Sequence, residues 1–184
     1  MESKKDIRKR VLTMRNEINK KDWEEKSHLI YEKVVTHPFF LSADSIYCYI
    51  DYRNEVGTRA IIEHAWNKQK KVAVPKVEGD EMRFYYIDSF LDLCEGFKGI
   101  LEPKQNHLAT PTGKELVIMP GAAFDRKCGR IGYGKGYYDK YLSKYPHCKR
   151  IALGFDLQIV DDIPTEPYDI CPEYVITEEH IYEQ

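Results

Sequence analysis

The sequence is poor in the features that would set it apart from ordinary globular proteins. No apolar run in its 184 residues approaches the length needed to span a bilayer. The segment from Met1 to Arg10 is charged and holds no apolar stretch of the kind found in secretory signals, so none is expected. An excess of one charge is missing too. Against 28 Lys and Arg stand 30 Asp and Glu, and the formal net charge of -2 offers no general attraction to nucleic acid or anionic membrane. An anionic ligand must then be held by a local cluster. The 5 cysteines (Cys48, Cys94, Cys128, Cys148 and Cys171) are odd in number and show no C-x-x-C spacing. They read as free thiols of a reducing compartment, not as a disulfide scaffold. The 6 histidines are dispersed, with no H-x-x-x-H pair to support zinc. No internal repeat, low-complexity tract or long linker is visible. The expectation is one soluble, cytoplasmic domain over residues 1–184, with neither nucleic acid nor membrane as partner.

What is present is the balance of a packed domain, 42% apolar and 32% charged. Ser3 with Asp6 resembles a capping box, and Ile7, Val11, Met14 and Ile18 then recur at helical spacing. Lys4 and Arg8 share another face of that helix. A second helix is expected after Asn19, carrying Trp23, Leu29, Ile30, Val34 and Val35, and ending near His37-Pro38. Short strands are expected at Ser45–Ile50, Lys71–Val74 (ended by Pro75), Met82–Ile87, Leu116–Met119, Arg150–Leu153 and Tyr174–Ile176. Helices are expected at Thr58–Asn67 and Tyr137–Leu142. Short apolar strands alternating with helices predict an α/β fold: an open, mostly parallel sheet with helices on both faces. Ligands of such sheets bind at the carboxyl ends of strands. Two loops belong there, Asp51–Gly57 and Gly121–Gly136.

The most informative segment is GRIGYGKGYYDKYL, Gly129 to Leu142. Glycines let the backbone approach a ligand closely, and successive N–H groups can cradle phosphate oxygens. A helix beginning directly afterwards adds the positive end of its dipole. Arg130 and Lys135 supply full charges. The segment nearly matches a P-loop, but Gly136 stands where Ser or Thr would hold magnesium. Asp139 offers a carboxylate in the first helical turn instead, so the segment reads as a nucleoside triphosphate loop of another type. The competing reading is a tightly packed turn that binds nothing. Tyr138 and Tyr141 read as core aromatics, and Cys128 as incidental.

At this segment the chain resembles the 5-formyltetrahydrofolate cyclo-ligase (methenyltetrahydrofolate synthetase) family. Its signature stands here as GYGKGYYD, Gly132–Asp139, after MPGAAFD, Met119–Asp125. Matching stretches also include Lys4 with Arg8, Asn54–Val56, Gly99–Pro103 and Pro167–Asp169. The resemblance implies a three-layer, Rossmann-like fold related to sugar-phosphate isomerase and CoA transferase scaffolds. It implies Mg²⁺ and ATP, and a folate substrate, 5-formyltetrahydrofolate, possibly polyglutamylated. The product is 5,10-methenyltetrahydrofolate, formed through a phosphorylated formyl oxygen. A monomer or weak homodimer is expected.

Carried over by the same resemblance, the ATP contacts are Lys4, Arg8, Arg130, Ile131, Gly132, Tyr133, Gly134, Lys135, Gly136, Tyr137 and Tyr138. Lys135 and Arg130 are the catalytic cations, with Lys135 on the γ-phosphate. The substrate contacts are Ile50, Glu55 and the loop from Tyr133 to Tyr137. Asp139 and Asp169 are the magnesium ligands, with Asp161, Asp162 and Glu166 as neighbours that compete with Asp169. Phe84 or Tyr85 is a candidate for stacking on the folate. Before Gly99, where the family often has an aromatic, this chain has Lys98, with Phe97 one further back. Two readings of other classes compete: a non-catalytic nucleotide-binding module, and another enzyme on a related scaffold, such as a sugar-phosphate isomerase or CoA transferase.

Overall fold

A computed structural model describes residues 2–96, 99–104 and 107–184. The helices are α1 (Lys4–Asn16), α2 (Lys20–Thr36), α3 (Pro38–Ser42), α4 (Arg59–Asn67) and α5 (Tyr137–Lys144). The main sheet contains β1 (Ser45–Cys48), β2 (Lys71–Glu78), β3 (Glu81–Ile87), β6 (Leu108–Ala109), β7 (Glu115–Met119), β10 (Lys149–Leu153), β12 (Tyr174–Ile176) and β13 (Ile181–Glu183). Its order is β13-β12-β10-β7-β1-β2-β3-β6. The central run from β12 to β2 is parallel, and the flanking pairs β12/β13, β2/β3 and β3/β6 are antiparallel. A small sheet has the order β11 (Ile159–Val160), β8 (Ala123–Asp125), β9 (Arg130–Ile131), and β4 (Leu93–Glu95) pairs with β5 (Leu101–Pro103).

The central strands read as unbroken apolar runs because both their faces are covered. Side chains alternate across the sheet. Ile46, Cys48, Leu116, Ile118, Ile151 and Leu153 join a core with Ile30 and Val34 of α2, Phe40 of α3 and Ile61, Ile62 and Ala65 of α4. Tyr47, Val117, Met119 and Ala152 point the other way and meet Tyr141 and Leu142 of α5. The expected helix–sheet–helix layering is therefore present. The first helix stands apart: Ile7 and Val11 pack on Ala122, Ala123, Ile131 and Ile163 around the small sheet.

The helix starts follow their caps. The Ser3 hydroxyl accepts from the Asp6 amide at 3.2 Å, and the Asn19 side chain accepts from the Asp22 amide at 2.9 Å. His37, extended before Pro38, ends α2 and caps α3 through Nδ1.

Some expectations need correction. Met14 and Leu29 are exposed, and the apolar stripe of α1 continues into the aliphatic stem of buried Arg15 instead. The second strand, β2, does not stop at Pro75 but runs to Glu78. Its pairing with β1 ends at Ala73, so Pro75 lies where the strand has β3 as its single neighbour and the missing N–H costs no bond to β1. The first strand ends at Cys48, leaving Ile50 in the following loop. The five-residue α3 and the short strands β4, β5, β6, β8, β9, β11 and β13 have too few residues to show a period in sequence.

Candidate active site

The carboxyl ends of the parallel strands carry four loops, after β1, β7, β10 and β12. The β7 loop enters the small sheet. There the buried Asp125 carboxylate accepts the amides of Lys127 at 2.9 Å, Gly129 at 2.8 Å and Ile163 at 3.0 Å. This turn delivers Arg130 on β9. The Arg130 guanidinium is almost fully enclosed; it donates to the Pro120 carbonyl at 3.2 Å and to both Asp139 oxygens at 3.3 Å. It also lies 5.7 Å from the Tyr138 ring centroid.

The glycine loop follows. Gly134 and Gly136 have φ of +99° and +65°, a backbone region that side chains rarely adopt. Gly136 is the N-cap of α5 and provides no side-chain cap, so the first amides of the helix remain available at the loop. Lys135 is exposed at the tip and makes no hydrogen bond or ion pair among the described residues. Tyr138 and Tyr141 sit against the core as expected, each with a buried hydroxyl that lacks a partner among the described residues.

The first helix brings one further cation to this loop and another to the segment of Glu166 and Asp169 beside it. Lys4 Nζ meets Asp169 Oδ2 at 2.5 Å and Glu166 Oε2 at 2.9 Å. Burial opposes the Lys4 charge, but the two acids outweigh it and raise its pKa. Arg8 Nε donates to the Gly132 carbonyl at 2.8 Å. Asp139 Oδ1 accepts the Ile170 amide at 3.0 Å, which sets Asp139 beside the segment holding Asp169. Of the acids competing with Asp169, Glu166 shares the same lysine, whereas Asp162 pairs with Lys127 at 3.6 Å on the surface.

The loop after β1 forms the other wall. Asp51 Oδ1 accepts the Thr58 amide at 2.8 Å and its hydroxyl at 3.0 Å, closing the loop. Glu55 is buried there, with Oε2 accepting the Tyr52 amide at 2.8 Å. Burial raises the Glu55 pKa, while the Tyr133 hydroxyl, the Tyr52 amide and Arg15 act in the opposite direction. Ile50 is half-buried against the main core. The stacking candidates Phe84 and Tyr85 are both buried. Phe84 packs between Tyr47 and Tyr141, and the Tyr85 hydroxyl donates to Glu78, so neither ring offers an open face to a ligand. Phe97 and Lys98 lie outside the described residues.

Two contributors escape sequence reasoning. Gln158 Nε2 donates to the carbonyls of Gly121 at 2.9 Å and Ala122 at 3.1 Å, pinning the start of the loop. Arg15 donates to the Tyr133 hydroxyl at 2.8 Å. Arg15 was legible in principle: positions 4, 8, 11 and 15 form one helical stripe, so Lys4 and Arg8 adjoin the buried face of Ile7 and Val11 instead of standing on a separate one.

Taken together, these features define an α/β protein with a cationic glycine-loop cradle, flanked by acids, at the carboxyl edge of a mostly parallel sheet. The sequence model of the 5-formyltetrahydrofolate cyclo-ligase family matches residues 1–178, and the chain belongs to that family. A mitochondrial 5-formyltetrahydrofolate cyclo-ligase of Arabidopsis thaliana is 31% identical, over 83% of this chain and 66% of its own length. A probable 5-formyltetrahydrofolate cyclo-ligase of Schizosaccharomyces pombe is 36% identical, over 66% of this chain and 63% of that protein. The chain thus spans just under two thirds of these two relatives. It covers 93% of a probable cyclo-ligase of Caenorhabditis elegans at 28% identity. The solved structure of Aquifex aeolicus 5,10-methenyltetrahydrofolate synthetase superposes with a TM-score of 0.85 at 27% identity, covering 98% of this chain and 92% of that one. Among the described residues, no helix is long and apolar enough to cross a membrane.

Proposed function

We propose that the protein converts 5-formyltetrahydrofolate to 5,10-methenyltetrahydrofolate in an ATP- and Mg²⁺-dependent reaction that releases ADP and phosphate. The observation that supports this reading is the placement of Arg8 and Arg130 at the glycine loop that carries Lys135, with Asp139 beside it and Lys4 held by Asp169 on the neighbouring segment. Positioning and charge stabilisation are what phosphoryl transfer requires of a protein. The formyl oxygen attacks the γ-phosphorus and ADP leaves. This turns a poor leaving group, an amide-type oxygen, into a good one. N10 then bonds to the formyl carbon and loses its proton, the C–O bond breaks, and phosphate departs.

In this reading the loop amides and Arg130 hold the phosphates, and Lys135 reaches the γ-phosphate. Lys4 and Arg8 close on the phosphates from α1. The Glu55 carboxylate accepts N–H groups of the pterin. Asp139 and Asp169 would hold Mg²⁺, which supplies charge neutralisation of the triphosphate. Their carboxylates suit a hard cation and are brought to one side of the loop. Each is paired with a cation, Asp139 with Arg130 and Asp169 with Lys4, so these pairs balance the site's charge without ligand.

The test follows the near-ultraviolet absorbance of the methenyl product with purified protein, 5-formyltetrahydrofolate and Mg-ATP, omitting ATP and then magnesium as controls. Signal only in the complete mixture is expected, with turnover of Lys135→Ala reduced by about a hundredfold or more at unchanged fold. Near wild-type turnover in Lys135→Ala would remove the assigned phosphate role. ATP binding by folded protein without folate affinity would favour the non-catalytic module.

A further inference from the structure

We infer that Arg15 is a positioning residue for the folate end of the site, holding Tyr133 of the glycine loop against the Glu55 wall. The inference rests on the proposed function and adds a residue to it. Arg15 occupies the last turn of α1, on the stripe that begins with Lys4 and Arg8. It is 5% exposed. Its Nη1 donates to the Tyr133 hydroxyl at 2.8 Å and reaches the Gly121 carbonyl at 3.5 Å. The Tyr133 hydroxyl lies 3.4 Å from that same carbonyl. The guanidinium carbon stands 5.7 Å from the Tyr133 ring centroid. The Arg15 backbone carbonyl accepts the Asn54 side-chain amide at 3.3 Å, next to Glu55.

One guanidinium therefore touches the start of the β7 loop and the middle of the glycine loop, and its backbone meets the loop after β1. A buried cation is costly unless it is paired. No ion pair to Arg15 occurs among the described residues, and its Nε is a buried donor without a partner there. The carboxylate that feels its charge is that of Glu55, which also feels the Tyr133 hydroxyl and follows Asn54, the residue bonded to the Arg15 carbonyl. Tyr133 suits this position. It is exposed overall, but its hydroxyl sits against Arg15 and the Gly121 carbonyl, and burial with the Glu55 charge pushes its pKa well up, so it stays a donor. The substrate wall and the nucleotide loop then share one hinge point. Holding Glu55 ionised and Tyr133 in place shapes the pterin contact, whereas the phosphate contacts at Lys4, Arg8 and Arg130 lie further along the same surfaces.

The Glu55 carboxylate is faced by Arg15 of α1, by Tyr133 of the glycine loop and by Tyr138 of α5. From its own loop and strand it is faced by Asp51, Tyr49 and the Tyr52 amide. Arg15 is the cation in that set. Removing it raises the Glu55 pKa, so the ionised fraction at a given pH falls.

The experiment is steady-state kinetics on the full chain for wild type, Arg15→Met, Arg15→Lys and Tyr133→Phe across about pH 5.5–8.5. Arg15→Met is expected to raise KM for 5-formyltetrahydrofolate about tenfold while KM for ATP changes less than about threefold. The acid limb of kcat/KM for folate should move to higher pH. Tyr133→Phe should reproduce the KM rise, and Arg15→Lys should restore part of the pH profile. A folded Arg15→Met with folate KM and pH profile unchanged, or with both KM values raised equally, would overturn the inference. If Arg15→Met does not fold, Tyr133→Phe decides: an unchanged folate KM overturns it. Wild-type protein without turnover sinks the proposed function and the inference together, whereas active wild type with unaffected variants sinks the inference alone.

Discussion

The turn that presents Arg130 depends on one carboxylate, and replacing Asp125 by Asn tests how far. Asp125 is 2% exposed, and its two oxygens share three backbone donors. One oxygen takes Lys127 and Gly129 at 2.9 and 2.8 Å, and the other takes Ile163 at 3.0 Å. Asparagine has the same shape but one acceptor oxygen. With its oxygen toward Lys127 and Gly129, its amide nitrogen meets the Ile163 amide, donor against donor. An unsatisfied buried donor costs about 1–3 kcal/mol, and the two surviving bonds lose their charge assistance. The sum is about 2–4 kcal/mol of folding stability. For a chain of this size 1 kcal/mol moves Tm by about 2–4 °C, so Asp125→Asn should melt about 5–15 °C lower. Scanning calorimetry or circular dichroism at pH 7 measures this, with Asp125→Ala, which strips all three acceptors, expected at least as low. A Tm within about 2 °C of wild type would refute the reasoning, because the three amides would then have found partners elsewhere.

Two more perturbations probe the backbone and the charge state of the fold. Gly136→Ala should cost about 1–2 kcal/mol in urea unfolding, because φ is +65° there while the space around a Cβ is open, the nearest atom being Asp139 Oδ2 at 4.0 Å. Gly136→Asn should cost less, since Asn tolerates that conformation. His37 is buried and its Nδ1 accepts the Phe39 amide at 3.1 Å. Burial lowers its pKa, only partly offset by Glu183. A His pKa depressed in the folded state adds stability that is present above the unfolded value of 6.5 and lost as pH falls through the folded value. Denaturant midpoints should therefore drop as pH falls below 6.5, and His37→Asn, which keeps an acceptor at the cap but cannot titrate, should show a smaller drop.

The layering of the fold was legible because the central strands are covered on both faces. LVIM and SIYC carry no polar interruption, and both faces of these strands prove to be packed. The helix starts at Ser3 and Asn19 were legible because a cap is a local event. What stayed hidden depends on partners distant in sequence. Pro75 ended the expected strand, since whether β1 reaches that far cannot be known without the sheet order. The two-residue strands β9 and β11 exist because β8 lies between them.

The site divides along the same line. The glycine loop, Lys135 and Asp139 stand within a few residues of one another, so the reading of a phosphate with a hard cation could be framed from local spacing, beside that of a packed turn. Asp169 and Glu55 became visible through resemblance. Arg15 lay outside both routes, although its helix already displayed two cations at positions 4 and 8. Continuing that stripe by 3.6 residues per turn leads through Val11 to Arg15, at the position where an apolar face predicts a hydrophobic side chain. A charge on the buried stripe of a helix is expensive, so it persists where something across the interface answers it. Here the answer is a tyrosine hydroxyl from the glycine loop, which also feels the buried Glu55 carboxylate. Residues of this kind are found by asking which position breaks an apolar pattern, and then asking what the fold sets opposite.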